Sequence, residues 1–219
     1  MPDLTALTLD QLRPHIITAM LPHVPFDGWS DKAAAQAEAE LRLTPGTARL
    51  AFPGGAFDLV SGWIAILDAA MAEALDTPDF RAMKVRAKIT TAIRTRLALA
   101  APHKEALRSA SLVLARPENL LKASRLGWHA ADSIWHAAGD SSTDFNHYSK
   151  RMLAGAVYGA TLLYFLNDNS DGHADSWAFL DRRIADVMNI ESLKARLRSD
   201  GHAPSLARFL GRLRYPQKG

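Results

Sequence analysis

Apolar positions in this chain recur at helical spacing, most clearly in Val85, Ile89, Ile93 and Leu97, which share one stripe of a segment predicted to be helical from Phe80 to Ala100. Lys84, Lys88, Arg94 and Arg96 are expected to occupy much of its remaining surface. Upstream, a first helix is predicted over Leu9 to Leu21, ended by Pro22 and Pro25, with Phe26-Asp27-Gly28-Trp29 as a turn. Ser30 suits the N-cap of an alanine-rich helix reaching about Leu41, and Thr44-Pro45 reads as the cap and first position of a short third helix. That third helix should end near Phe52-Pro53-Gly54, and a longer one should run from Ala56 to Leu75. Three short helices with a tight turn between the second and third outline a helix-turn-helix head.

The remainder reads as a helical bundle. Lys104 to Ala115 forms one helix, Pro117 opens another through Ala138, and Ser141 with Asp144 fits a capping box for a helix reaching Asn167. Trp177 to Met188 forms the next. The tail stands apart: Leu206, Phe209, Leu210 and Leu213 follow i, i+3, i+4, i+7, with Arg208 and Arg212 opposite, the pattern of a short basic amphipathic helix. A terminal helix docked on the bundle and a membrane-surface foot both fit that pattern. The expected division is 1–55 for the head, 56–195 for the bundle and 196–219 for the basic linker and tail.

Composition sharpens this outline. Apolar residues make up 48% of the 219, enough for a core, and alanine and leucine dominate over scattered β-branched residues. There is no cysteine, so disulfides and thiolate metal sites are excluded. The longest apolar run, Met152 to Leu166, is 15 residues, short of the roughly 20 that a membrane span needs. The N-terminus is acidic and has neither an apolar signal core nor an Arg-rich transit pattern, and the chain is expected in the bacterial cytoplasm, peripherally associated with the inner membrane. The net charge of +3 is uneven: from Arg182 onward nine basic residues face three acidic ones, a balance of +6 that leaves −3 for the preceding part. An anionic partner is expected for that end.

The segment with the oddest chemistry is Trp135 to Arg151, WHAAGDSSTDFNHYSKR, an inter-helix corner with two aspartates, small hydroxyls and no nucleophile–base pair. Beyond it, Gly155 and Gly159 lie on one helical face, each costing about 1 kcal/mol relative to alanine. Either a neighbouring helix approaches closely there, or space is left for a ligand. His129, Asp132 and His136 share a face but lack a partner motif on a second helix, so no metal or catalytic site is expected. The region Ser30 to Pro53 is charge-neutral, with Asp31, Glu38 and Glu40 against Lys32, Arg42 and Arg49, which disfavours nucleic acid as a partner.

Four motifs, VPFDGWSDKA at Val24 to Ala33, FPGGAFDLV at Phe52 to Val60, the corner WHAAGDSSTDFNHYSKR and WAFLDRRI at Trp177 to Ile184, together resemble the ubiquinone-biosynthesis accessory proteins, a lipid-binding family of the TetR-like superfamily. The resemblance covers about residues 12–215. It implies an all-α, TetR-like fold, no enzymatic activity of its own, no cofactor, and a homodimer formed through the last two bundle helices. It also implies an apolar pocket for an isoprenoid quinone or a phospholipid, for which the fitting residues are Ile89, Ile93, Leu97, Leu121, Trp135, Met152, Leu153, Gly155, Ala156, Gly159 and Leu163. Its implied protein partner is the di-iron demethoxyubiquinone hydroxylase, met through Ile134, His147, Tyr148 and Arg151. Many relatives carry tryptophan at the His147 position and methionine at that of Ile134. Leu206, Arg208, Phe209, Leu210, Arg212 and Leu213 would contact an anionic membrane surface. The function so implied is presentation of a polyprenyl quinone intermediate to the hydroxylase; the alternative is a TetR-like ligand-responsive transcriptional regulator.

Overall fold

The computed structural model describes residue 4 and residues 6–139 and 145–199, with the side chains of 145–150, 188 and 190–199 excluded. Throughout, the described elements are helical. The head comprises α1 (Leu9–Met20), α2 (Val24–Asp27), α3 (Asp31–Glu40) and α4 (Thr47–Ala51). Thr8 opens α1 with a reciprocal capping box to Gln11, and α1 buries Leu12, Ile16, Ile17 and Met20 against α3, α4 and α5 (Ala56–Leu75). The expected turn at Phe26-Asp27 is the end of a single helical turn, closed by Gly28 at φ +69°.

Thr44-Pro45 does not start α4. Gly46, at φ +92°, is the N-cap, and the buried Glu38 reaches across from α3 to accept hydrogen bonds from the backbone N–H groups of Gly46 and Ala48. A carboxylate from another helix thus supplies what a local cap would have supplied, and it sits where the helix dipole is positive. Removing it leaves two amides without their acceptor. Glu38→Ala is expected to cost about 2 kcal/mol, read as a lowered midpoint in urea with unchanged helical content in the native baseline.

Trp29 joins head to bundle. Its indole N–H donates to the Ala106 carbonyl at 3.1 Å, and its ring lies 5.3 Å from that of Trp63 on α5. The bundle continues through α6 (Pro78–Ala82), α7 (Val85–Ala100), α8 (Lys104–Leu114), α9 (Leu120–Ala137) and α10 (Phe145–Asn167), with α11 (Ala174–Ser199) beginning after a short 3-10 turn. The single helix expected from Phe80 to Ala100 is broken: Met83 and Lys84 are extended, and Thr77 caps a separate α6 that buries Phe80. The Ile89, Ile93, Leu97 stripe is buried as expected, while Val85 is exposed. Arg96, expected on the surface, is 2% exposed. The helix predicted over Trp177 to Met188 is longer at both ends.

Head and bundle together form one compact unit, Met1–Leu180, and Asp181–Gly219 form a second. Within the second, Arg183 pairs with Asp186 at 2.9 Å along α11. The three-part division read from sequence follows local pattern, whereas packing unites the first part with most of the second.

Candidate functional site

Helices α9 and α10 pack on each other and carry most of the residues singled out from sequence. Ala131 on α9 faces Gly155: a Cβ added to that glycine would stand 3.5 Å from the Ala131 Cβ, ordinary contact. Gly159 has open space where its Cβ would be. A side chain at Gly155 would thus rest in ordinary contact with α9 and one at Gly159 would meet open space, so close packing on α9 requires neither glycine.

One face of α10 is interior, with Ala154, Val157, Thr161 and Phe165 buried. The other presents Met152, Ala156, Gly159 and Leu163 at helical spacing. Met152 is 64% exposed and Leu163 is 63% exposed. On α9, Leu121 is 80% exposed, and Trp128 is also exposed. Leu153 and Trp135 are half-buried. Ile89, Ile93 and Leu97 lie instead in the packed interior of α7. The residues expected to line one lipid pocket are thus spread over buried, half-buried and exposed positions.

Two of the expected docking residues also lie inside. Ile134 is fully buried, and Arg151 is 3% exposed with its guanidinium donating to Asp132. Their burial corrects the expectation of a surface patch containing both. Ile134 lies on α9 and Arg151 on α10, the two helices that pack on each other. The side chains of His147 and Tyr148 lie outside the described residues, as does the whole tail from Leu206 to Leu213. Asp132, considered for a metal or acid–base role with His129 and His136, is committed to Arg151.

The corner after α10 is held by charge. Lys104 donates to the Asp168 carbonyl and Arg108 to that of Leu166, so two cations from α8 sit at the C-terminal end of α10, where the dipole favours them. The Asp168 carboxylate accepts from the backbone N–H and hydroxyl of both Ser170 and Ser176. Burial opposes its ionisation, but the four hydrogen bonds together outweigh it and hold the carboxyl well below the usual carboxylate range. Beside this corner, Tyr164 stacks on Phe179 at 4.6 Å, and a shallow depression is lined by Leu163, Tyr164, Asp175 and Phe179.

A second concavity, of about 500 Å³, opens between α5, α6 and α9. Its floor is Met71, Leu75 and Phe80, and its walls include Asp68, Asp132, Ser133 and His136. Sequence reading missed it. The one available signal was Asp68, a lone carboxylate inside the otherwise apolar stretch LVSGWIAILDAAM.

A family model for COQ9 matches residues 120–191, the stretch holding α9, the corner, α10 and much of α11. Ubiquinone biosynthesis protein COQ9, mitochondrial, of Rattus norvegicus is 30% identical over 201 residues, covering 89% of this chain and 64% of the rat protein. The chain is a homologue of COQ9. The Homo sapiens COQ9 is likewise 30% identical over 89% of this chain and 63% of its own length, and that of Drosophila melanogaster is 30% identical over 91% and 62%. The chain thus spans a little under two thirds of these relatives. Among solved structures, a TetR transcriptional regulator from Nitrosomonas europaea superposes with a TM-score of 0.65 over 80% of this chain and 97% of that one, at 17% identity. The fold is all-α and TetR-like, as expected. The expected bacterial cytoplasmic location is overturned: the rat, bovine, human and Drosophila relatives are each named as mitochondrial. An acidic N-terminus describes only its own segment and does not assign a compartment.

Proposed function

We propose that this chain is a lipid-binding accessory protein of ubiquinone biosynthesis, which presents a polyprenyl quinone intermediate to the demethoxyubiquinone hydroxylase. The observation that carries the reading is homology to COQ9 proteins over 89% of the chain. The exposed apolar face of α10 supports the reading. Met152, Ala156, Gly159 and Leu163 form a shallow apolar track, and each buried methylene of a polyprenyl chain gains about 0.8 kcal/mol over water. Such a chain does not leave a bilayer unaided, so an apolar track on a protein that also contacts the membrane would let the ring travel to an interfacial enzyme. The basic tail, with Arg208 and Arg212 opposite Leu206, Phe209, Leu210 and Leu213, supplies that contact in this reading. A homodimer and the absence of catalysis by the chain itself belong to the same proposal.

Lipid extracted from the purified full chain and analysed by mass spectrometry tests it. An isoprenoid quinone or phospholipid should be present in near-stoichiometric amount. Leu163→Asp, at an exposed position, should reduce it about tenfold without lowering the unfolding temperature. Protein that carries no lipid when purified from a membrane-containing lysate would overturn the reading.

A further inference from the structure

The turn between α8 and α9 holds apolar side chains out in solvent. Leu112, in the last turn of α8, is 68% exposed, and Leu120 and Leu121, which open α9, are 56% and 80% exposed. The turn that carries them is pinned. Pro117 restricts the backbone at its start. Asn119 is buried, donates its side-chain amide to the Val113 carbonyl at 2.8 Å, and donates its backbone N–H to the Arg116 carbonyl at 2.9 Å. With Asn119 turned inward, the residues on both sides of it, Arg116 to Glu118 and Leu120 to Lys122, are all exposed. They make a projecting tip rather than a groove. Further along α9, Arg125 and Trp128 follow Leu121 at helical spacing and are exposed as well.

We propose that this tip seats on the surface of an anionic phospholipid bilayer, with Leu120 and Leu121 entering the acyl boundary and Arg116, Lys122 and Arg125 meeting the phosphates. Charge favours that occupant. From Leu112 to Trp128 the chain carries those three cations against the single carboxylate of Glu118. Long basic side chains can lay their stems along apolar surface and keep their heads among the phosphates, as surface-bound elements do. Trp128 suits the same level, because an indole is apolar over its rings and a donor at its N–H. A projecting tip suits insertion into lipid, whereas stable protein interfaces are broad, at about 800 Å² on each partner. The contact is separate from the tail, because it belongs to the bundle itself and so fixes which end of the bundle meets the bilayer. Lys122 lies over the Phe57 ring at the start of α5, which ties the tip to the end of the bundle nearest the head. The opposite end of α9 is about 27 Å away, where Lys88 approaches Gly139. Leu121, expected in a ligand pocket, is on this inference a bilayer contact.

The chain contains no cysteine, so a single introduced thiol carries a single probe. Leu121→Cys, and as a reference Val85→Cys at an exposed position near the opposite end of the bundle, are each labelled with bimane in the full chain. They are then mixed with vesicles of equal parts phosphatidylglycerol and phosphatidylcholine. Emission from position 121 should shift to the blue and be quenched by doxyl-labelled lipid, and emission from position 85 should do neither. In sedimentation with the same vesicles, Arg116→Gln with Arg125→Gln should lower partitioning about 25-fold, since each cation near an anionic surface is worth about fivefold. Leu121→Gln should lower it about tenfold. Neither variant should lower the unfolding temperature, because all three side chains are exposed. A chain that sediments without the shift at position 121, equal shifts at both positions, or undiminished partitioning of the variants would each overturn the proposal. So would an absence of sedimentation, or a blue shift at position 121 that grows with protein concentration alone and so shows a second copy covering the tip. Sedimentation that depends on Phe209 while position 121 stays silent would sink this contact and leave the accessory-protein reading standing. A shift at position 121 in a chain that purifies without lipid would do the reverse.

Discussion

Asp68→Ala is expected to destabilise the protein by about 3–5 kcal/mol, a large part of the roughly 5–15 kcal/mol that holds a domain of this kind folded. The reason is the partner left behind. Arg96 is 2% exposed, lies in the middle of α7 and bridges to α5 through Asp68 and to α10 through Tyr158. With its carboxylate gone, a guanidinium that cannot lose its proton remains in an apolar interior with one phenol oxygen and the Tyr158 ring, 5.3 Å away, for company. The ion pair itself is a different matter. Desolvating two charges consumes most of what their attraction returns, so the double replacement Asp68→Leu with Arg96→Met should recover most of the lost stability. The coupling in a double-mutant cycle, measured by urea unfolding, is therefore expected to be large and to oppose the single effects. Additive single losses would show that Arg96 finds another partner.

Asp168→Ala is the second large effect, expected at about 3 kcal/mol. Its carboxylate gathers the N–H and hydroxyl groups of Ser170 and Ser176 at the α10–α11 corner, and the Ser176 side chain is fully buried with no route to water. The same site gives a pH signature. The folded-state pKa lies below the ordinary aspartate value of 3.8, so the unfolded chain takes up a proton first as pH falls. Its contribution is fully present above about pH 4 and is lost progressively as pH drops below that. Asp168→Asn should remove this part of the acid destabilisation while lowering stability near neutrality, because an amide can accept but also brings donors into a site that already holds four. Denaturant midpoints measured from pH 7 to pH 3 read both effects. Parallel profiles for the two proteins would locate the acid sensitivity elsewhere.

Both sites show where a linear reading falls short. Arg96 stands seven positions after Ile89 and three after Ile93, on the edge of the apolar stripe, yet its charge grouped it with Lys84, Lys88 and Arg94 as a surface residue. Only the arrival of Asp68 from a helix 28 positions earlier made its burial tolerable. Glu38 is the same lesson in the head. A local search placed the cap of α4 at Thr44, while the actual acceptor lies one helix back, brought there by the packing of α3 on α4. The glycines of α10 were legible as an anomaly but not as an answer. Only the placement of α9 shows that a Cβ at Gly155 would rest in ordinary contact with Ala131 and that one at Gly159 would meet nothing within 4 Å.

The sequence by itself determined most of the helices, though not the break at Met83-Lys84 or the start of α4, because their signals are local: apolar residues at helical spacing, Thr8 and Ser30 at caps, prolines and glycines at the breaks. It also carried the kinship, since the likeness to the rat COQ9 is 30% identity over 201 residues. What only the tertiary structure decided was which side of each helix faces a neighbour. That choice put Ile134 and Arg151 inside, left Met152 and Leu163 outside, and brought Asp68 and Asp132 to one cleft. A helical period fixes which residues share a face, but the burial of that face depends on the energy of packing against elements far away in the chain, and no local spacing encodes it.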